Sequence, residues 1–166
     1  RILQGNGIFA MHILYLERKH LMNPEQVTIT IVSTPTEQKE AKIETSYTGL
    51  YRKVSNKHVI SYEEAFAADG EAPMTSKNII RFNQNMVHIS KKGDVTSQMH
   101  FEKDSRHEGV YRTPFGTFAT AIDTHDLLVE ETASGIRIVL LYTLHMNHVK
   151  VSKNEMIISI DHNAES

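Results

Sequence analysis

The chain has 166 residues, which is enough for one well-formed core and short for two, so the sequence predicts a single domain. Its 40% hydrophobic and 23% charged residues exclude a disordered polymer. The formal net charge of -2 provides no field that would gather nucleic acid or an anionic membrane, and neither partner is expected. The absence of cysteine excludes disulfides, thiolate metal sites and thiol nucleophiles, and it is typical of a reducing cytoplasm, which is the expected location.

Residues 1–21 differ from the rest of the chain because their polar and apolar side chains do not alternate. The apolar run at residues 8–16 is too short to span a bilayer, and no small-residue cleavage site follows it, so a signal peptide is the weaker alternative. Purine codons can encode residues 17–19, as in a bacterial ribosome-binding site, which would make Met22 the initiator. We expect residues 1–21 to be an extension outside the domain, upstream or appended, and residues 22–166 to form the domain.

Strand-like alternation begins at Val27 and continues along the chain. Residues 27–32 place valine and isoleucine on one face and two threonines on the other. The same period of two recurs in residues 43–51, 58–64 and 95–102. Glycine, asparagine and proline punctuate these segments, and Gly49 suggests a bulge or bend within its strand.

The C-terminal half continues the pattern with short segments separated by turns. The predicted strands there are residues 109–114, 115–124, 127–131, 136–145 and 155–161. Residues 104–108 are polar and are predicted to be a connection. After Met22 no segment holds helical apolar spacing over a dozen residues, so a parallel βαβ fold is not expected. About ten or eleven short strands in succession are typical of an antiparallel sandwich or barrel.

Glu64 is the candidate functional carboxylate. Adjacent residues in a strand point to opposite faces, so Glu63 and Glu64 cannot act as a carboxylate pair. Glu64 shares its face with Tyr62 and with apolar neighbours, where a carboxylate must be paired or protonated. We predict an interior partner such as Arg81 or Arg112, and pairing of this kind or plain exposure is the favoured interpretation.

The hexapeptide Tyr-Arg-Thr-Pro-Phe-Gly at residues 111–116 predicts a sharp corner between two strands, because proline cannot donate a backbone hydrogen bond and glycine permits unusual backbone angles. At a barrel mouth this corner would present the hydroxyls of Tyr111 and Thr113 to a ligand. Turn geometry alone also explains these residues, and it is the stronger explanation. Tyr142 is a further candidate, because tyrosine offers an apolar body with a hydrogen-bonding tip.

The ten histidines invite a metal hypothesis that their spacing does not support. Only His145 and His148 stand near each other, and in a strand that spacing points the two rings to opposite faces. The motifs Gly-x-Ser-x-Gly, Gly-x-x-x-x-Gly-Lys and His-Glu-x-x-His are absent. We therefore expect no metal, no cofactor and no catalytic residue.

Several of these motifs together resemble a known family. Tyr62-Glu63-Glu64, the hexapeptide at residues 111–116, Thr124 and the strand with Leu141-Tyr142 resemble the YwiB-like family of bacterial proteins of unknown function. The likeness covers residues 27–160 in order. Members of that family are similar to calycins, so the resemblance implies an all-β, antiparallel up-and-down, calycin-like (lipocalin-like) β-barrel of about eight to ten strands rather than a sandwich. It implies no activity.

Three functions remain open on this reasoning. The first is a binding module whose barrel interior takes a small, partly apolar ligand, because barrels of this size are just wide enough for one. The second is a small enzyme using Glu64 beside Tyr62, Tyr111 and an arginine, which requires those groups to converge on one cavity. The third is a protein-interaction module that acts through its outer surface or forms a homodimer, which requires an apolar patch outside a filled barrel.

Overall fold

The computed structural model describes residues 24–67 and 69–163, and the predicted period of two is realised there as ten β-strands. One short 3-10 helix, Lys39–Ala41, lies between the first two strands. The strands are β1 (Glu25–Pro35), β2 (Ile43–Val54), β3 (Lys57–Phe66), β4 (Met74–Phe82), β5 (Met86–Gly93), β6 (Thr96–Glu102), β7 (Ser105–Thr113), β8 (Gly116–Glu131), β9 (Gly135–Met146) and β10 (Val149–His162). The all-β prediction is confirmed, while the prediction for residues 1–21 lies outside the described residues.

Each strand pairs antiparallel with the next one in the chain, and β10 returns to pair with β1. At the closure Ile29 lies opposite Tyr47 on β2 and opposite Ile160 on β10. This up-and-down order closes the sheet into a barrel, so side chains at alternate positions face a common interior. The predicted antiparallel barrel is therefore confirmed.

The interior is filled at only one end of the barrel. At the end formed by the β4–β5 and β8–β9 turns, large apolar side chains are fully buried: Phe82, Val87, Phe101, Ile138, Leu140, Ile158 and Ile160. Burial of each such side chain contributes about 1.5–3 kcal/mol, which makes this half the main source of stability. The opposite end, formed by the β1–β2, β3–β4, β5–β6, β7–β8 and β9–β10 connections, is not filled in this way.

Several predicted strand boundaries are wrong, including the start of β10 at Val149, and two of the differences have identifiable physical reasons. The strands predicted at residues 115–124 and 127–131 form one continuous strand, β8, whose register shifts between Thr124 and Asp126. This bulge adds one residue and so keeps both Thr124 and Leu127 on the inner face. The polar segment 104–108 mostly belongs to β7, where Arg106 and Glu108 face solvent at alternate positions.

The β6–β7 seam is irregular. Its register comprises Thr96 opposite Arg112 and Ser97 opposite Tyr111, near the open end of the barrel. By contrast, β7 pairs with β8 along its entire length. Towards the filled end of the barrel, β6 and β7 are thus neighbours without a regular ladder of hydrogen bonds.

Candidate functional site

A cavity of about 480 Å³ occupies the unfilled half of the barrel. One wall is polar and is contributed mainly by β2 to β5: Tyr47, Tyr62, Glu64, Asn78 and Lys91. The facing wall is apolar and rich in methionine: Ile31, Met99, Ile122, Leu144, Met146 and Met156. The cavity therefore offers an apolar surface and a compact polar cluster within one space.

Glu64 is the centre of the polar wall. The Lys91 Nζ donates to Glu64 Oε2 at 2.7 Å, and the Tyr47 hydroxyl donates to Glu64 Oε1 at 3.2 Å. The Asn78 amide lies at the longer distance of 3.5 Å from Oε2. The side chains of Lys91 and Glu64 are 25% and 21% exposed, so their ion pair is partly withdrawn from water.

Strand register explains why these residues meet. Tyr62 on β3 lies opposite Asn78 on β4, and Asn78 lies opposite Lys91 on β5. Glu64 follows Tyr62 by two residues and thus points to the same interior face. Three neighbouring strands consequently place four polar side chains beside one another at the open end.

The electrostatics of the cluster keep Glu64 ionised. Burial acts to raise the pKa of Glu64, but the Lys91 ammonium and the hydrogen bonds from Tyr47 and Asn78 outweigh it and lower the pKa below its usual value. Burial raises the pKa of Tyr62 and of Tyr47, with the Glu64 carboxylate adding to the effect. Near neutral pH the wall thus presents one carboxylate, one ammonium and two protonated phenols.

Gly49 makes room for Ile29 and for Tyr62 beside this wall. The rings of Tyr47 and Tyr62 stack with their centroids 4.6 Å apart. Gly49 lies opposite Tyr62, and a Cβ at position 49 would come within 2.6 Å of Ile29 Cδ1. The strand keeps a regular register through Gly49, so there is no bulge there and close packing explains the glycine.

Three of the predicted site residues line the cavity, namely Tyr62, Glu64 and Tyr111. Tyr142 instead lies in the filled half, 4% exposed and edge-on to Phe101, where burial raises its pKa to about 12. Thr113 serves the turn at the open end, since its Oγ1 accepts from Phe115 N at 3.1 Å and lies 3.2 Å from Gly116 O. The corner predicted at residues 111–116 is present as a turn between Thr113 and Gly116, while Tyr111 and Arg112 belong to β7.

The predicted interior arginines are wrong. Arg81 and Arg112 are exposed on the outer face, because each alternates with residues that point inward. Lys91 takes the predicted partner's role. Lys91 was not predicted as an interior residue. Its alternation with Val87 and Ile89 along β5 is the signal that could have identified this position.

The cavity walls contain no group of three metal-ligating side chains among the described residues. One such group lies at the β6–β7 seam instead, where His100, Glu102 and His107 place potential ligand atoms within 4.8 Å of one another. Spacing along the chain gives no sign of this group, because the three residues meet only where β6 and β7 pack together. Within the part of the chain that the structure describes, no helix is long and apolar enough to cross a membrane.

A closed, ten-stranded, up-and-down barrel with a half-open interior defines a calycin-like protein. Residues 26–158 match the family described as "Domain of unknown function (DUF1934)", and the chain belongs to that family. The structure titled "Crystal structure of ywiB protein from Bacillus subtilis" is similar, with a TM-score of 0.68 and 18% identity over 84% of this chain and 93% of that one. The resemblance to the YwiB-like family is confirmed, and at this identity the structural match shows the fold. No curated protein matches the chain.

Proposed function

We propose that the barrel binds a small, partly apolar molecule in its open half. The observation that carries this proposal is the cavity of about 480 Å³ with one methionine-rich wall and one polar wall. Ligand pockets in proteins commonly measure about 300–1,000 Å³ and combine apolar lining with a few convergent polar groups. Methionine side chains adapt to irregular apolar shapes, which suits the apolar part of such a ligand.

The polar wall indicates the chemistry of the ligand's other end. Glu64 and Lys91 neutralise each other, so the wall favours a polar group without a full charge. The Asn78 side chain is buried, and its Oδ1 lacks a hydrogen-bond partner among the described residues. That atom is sealed within the wall, so a ligand hydroxyl or amide would instead exchange hydrogen bonds with the partly exposed Glu64 and Lys91 side chains.

The enzyme hypothesis receives less support from the same geometry. Glu64, Tyr62 and Tyr111 do converge on the cavity, but both candidate arginines lie outside it. Because its pKa is lowered by the ion pair, Glu64 would be a weak base near neutral pH. The arrangement supports recognition better than proton transfer.

The interaction hypothesis required an apolar patch outside a filled barrel. Large apolar side chains are exposed around the open end: Ile43, Phe66, Phe115, Val149 and Val151. They surround the entrance of an unfilled interior, a position that suits the passage of an apolar ligand. We therefore assign this ring to ligand entry as part of the same proposal.

A fluorescence titration with N-phenyl-1-naphthylamine, a neutral aromatic amine that brightens in apolar surroundings, tests the proposal. We expect saturable binding at one site per chain. Met156→Trp fills the apolar side of the cavity and should weaken binding at least about tenfold, which corresponds to 1.4 kcal/mol. Leu128→Trp adds the same side chain on the outer face, where Leu128 is 47% exposed, and should leave binding unchanged.

Thermal unfolding of both variants controls for loss of fold. Binding that is absent from the wild-type chain would contradict the proposal. So would an equal affinity in Met156→Trp and the wild type, because the probe would then occupy another surface.

A further inference from the structure

The β6–β7 seam carries a histidine–carboxylate cluster, formed where His107 on the inward side of β7 meets the outward face of β6. His100 and Glu102 lie two residues apart on β6 and so point outward together. His107 reaches them from β7. His88 lies directly opposite His100 on β5, with ring centroids 5.8 Å apart.

Distances within the cluster approach those of a metal centre. Glu102 Oε2 is 3.6 Å from His107 Nε2 and 4.0 Å from His100 Nε2. The two imidazole centroids are 4.2 Å apart. Ligand atoms held about 2.0–2.2 Å from a tetrahedral zinc ion lie about 3.4 Å from one another, so small side-chain rotations would suffice to complete the site.

Hydrogen bonding does not satisfy this cluster by itself. The Nδ1 of His107 is buried and has no partner among the described residues. A buried polar atom without a partner costs free energy, and two adjacent imidazoles compete for one carboxylate. One ion shared by Glu102 Oε2 and the two histidine Nε2 atoms would relieve this competition, whereas the Nδ1 of His107 lies on the far side of its ring and takes no part.

We propose that His100, Glu102 and His107 bind a divalent transition-metal ion of the zinc class. Two imidazoles and one carboxylate suit Zn²⁺, Co²⁺ or Ni²⁺, whereas Mg²⁺ and Ca²⁺ prefer oxygen ligands alone. The side chains are 28%, 48% and 33% exposed in that order, so at least one coordination position faces solvent. His88 lies beside His100 on the neighbouring strand and is not one of the three proposed ligands.

The position of the site indicates what the metal does for the fold. His107 belongs to β7 and the other two ligands to β6, and these strands share a regular register only near the open end. A bound ion would join them where that ladder of hydrogen bonds is missing. Metal binding would thereby stabilise the closed barrel, because any ion that binds the folded state alone raises its stability.

Calorimetric titration of the full chain with Zn²⁺, without a polyhistidine tag, tests the proposal. We expect one ion per chain. His100→Ala and Glu102→Gln should each weaken binding by more than about 100-fold, because even outer-shell changes at metal sites cost about 10–100-fold. His162→Ala is the matched control, because His162 also contacts a carboxylate, Glu25, but no second histidine takes part in that contact. The affinity of this variant for Zn²⁺ should equal that of the wild type.

A second readout concerns the seam. At free Zn²⁺ about a hundred times the dissociation constant, the melting temperature of the wild type should rise by about 5–10 °C, and that of Glu102→Gln should not. Glu102 is half exposed, so this isosteric variant is expected to fold. The proposal is overturned if the wild type takes up no stoichiometric zinc, or if both cluster variants bind zinc as tightly as the wild type does.

Discussion

Replacing Lys91 by methionine removes the ammonium that pairs with Glu64 inside the barrel. Methionine keeps most of the apolar stem of lysine, so packing changes little and the charge is the main difference. The Glu64 carboxylate would then remain part-buried with only Tyr47 and the distant Asn78 amide as partners. We expect the variant to fold and to be less stable than the wild type.

The size of the effect follows from the burial of the pair. Breaking a fully buried ion pair by removing one partner costs about 3–5 kcal/mol, whereas an exposed pair contributes about 0–1 kcal/mol. The two side chains are 25% and 21% exposed, which places the expected loss between these limits, at about 1–3 kcal/mol. Lys92→Met, one residue further on and exposed, should change stability by less than about 0.5 kcal/mol.

The loss should depend on pH in a definite direction. In the wild type the pKa of Glu64 is lowered, so the pair stabilises the fold above the pKa of the unfolded chain and loses its effect as pH falls through the folded pKa. Lys91→Met removes the two largest effects that lower this pKa, so we expect the pKa of Glu64 to be higher in the variant than in the wild type. Glu64 in the variant then takes up a proton at a higher pH than in the wild type. The loss in free energy of unfolding should therefore be largest near pH 7.5 and smaller near pH 4.5, which is just above the pKa of free glutamate at about 4.3.

Urea unfolding of both proteins at the two pH values measures this difference. The double variant Glu64→Gln/Lys91→Met should recover part of the loss near neutral pH, because no unpaired carboxylate remains. An equal deficit at both pH values, or a deficit below about 0.5 kcal/mol at pH 7.5, would refute the assigned pairing.

Three further variants test the filled half of the barrel by thermal and urea unfolding. Phe82→Ala should cost about 3–5 kcal/mol, because Phe82 is fully buried and a cavity would remain; a loss below about 1 kcal/mol would contradict this packing. Gly135→Ala should prevent stable folding, since a Cβ there would overlap the backbone carbonyl of Ile160, and wild-type stability would contradict that contact. Burial lowers the pKa of His58, so acidification through about pH 6.5 should destabilise the fold. His58→Gln should weaken this pH dependence of stability, and an unchanged dependence would show that other groups cause it.

Much of the fold could be predicted because alternation is a local property of the sequence. Each run such as Ile60, Tyr62 and Glu64 reports which side chains share a face, and the barrel confirms those faces. Boundaries were harder to predict. The bulge in β8 depends on how β9 pairs with it, which the residues between Thr124 and Leu127 do not reveal.

The candidate site was only partly predictable for the same reason. An interior carboxylate requires a partner, and this requirement correctly indicated a cation near Glu64. Arg81 could have been excluded locally, because it alternates with the buried Ile80 and Phe82. Placing Lys91 beside Glu64, by contrast, required the register of β3, β4 and β5. The cluster of His100, Glu102 and His107 shows the same limit, because sequence spacing carries no information about neighbours on adjacent strands.

The expected cytoplasmic location and the expected absence of nucleic-acid partners stay predictions. The cytoplasmic location inferred from the lack of cysteine, the absence of nucleic-acid partners and the oligomeric state each require direct experiments. The expectation of no metal also stays a prediction, and the zinc titration proposed for the β6–β7 seam tests it independently of the cavity.

Native mass spectrometry tests the central claim, that the open half of the barrel holds a ligand, most directly. The protein should be purified gently from a bacterial host and its native mass compared with its denatured mass, in parallel with Met156→Trp. We expect the native mass of the wild type to exceed the polypeptide mass reproducibly. This excess should be lost on denaturation and should be smaller in Met156→Trp. A bare polypeptide mass for the wild type, together with no binding of N-phenyl-1-naphthylamine, would contradict the account.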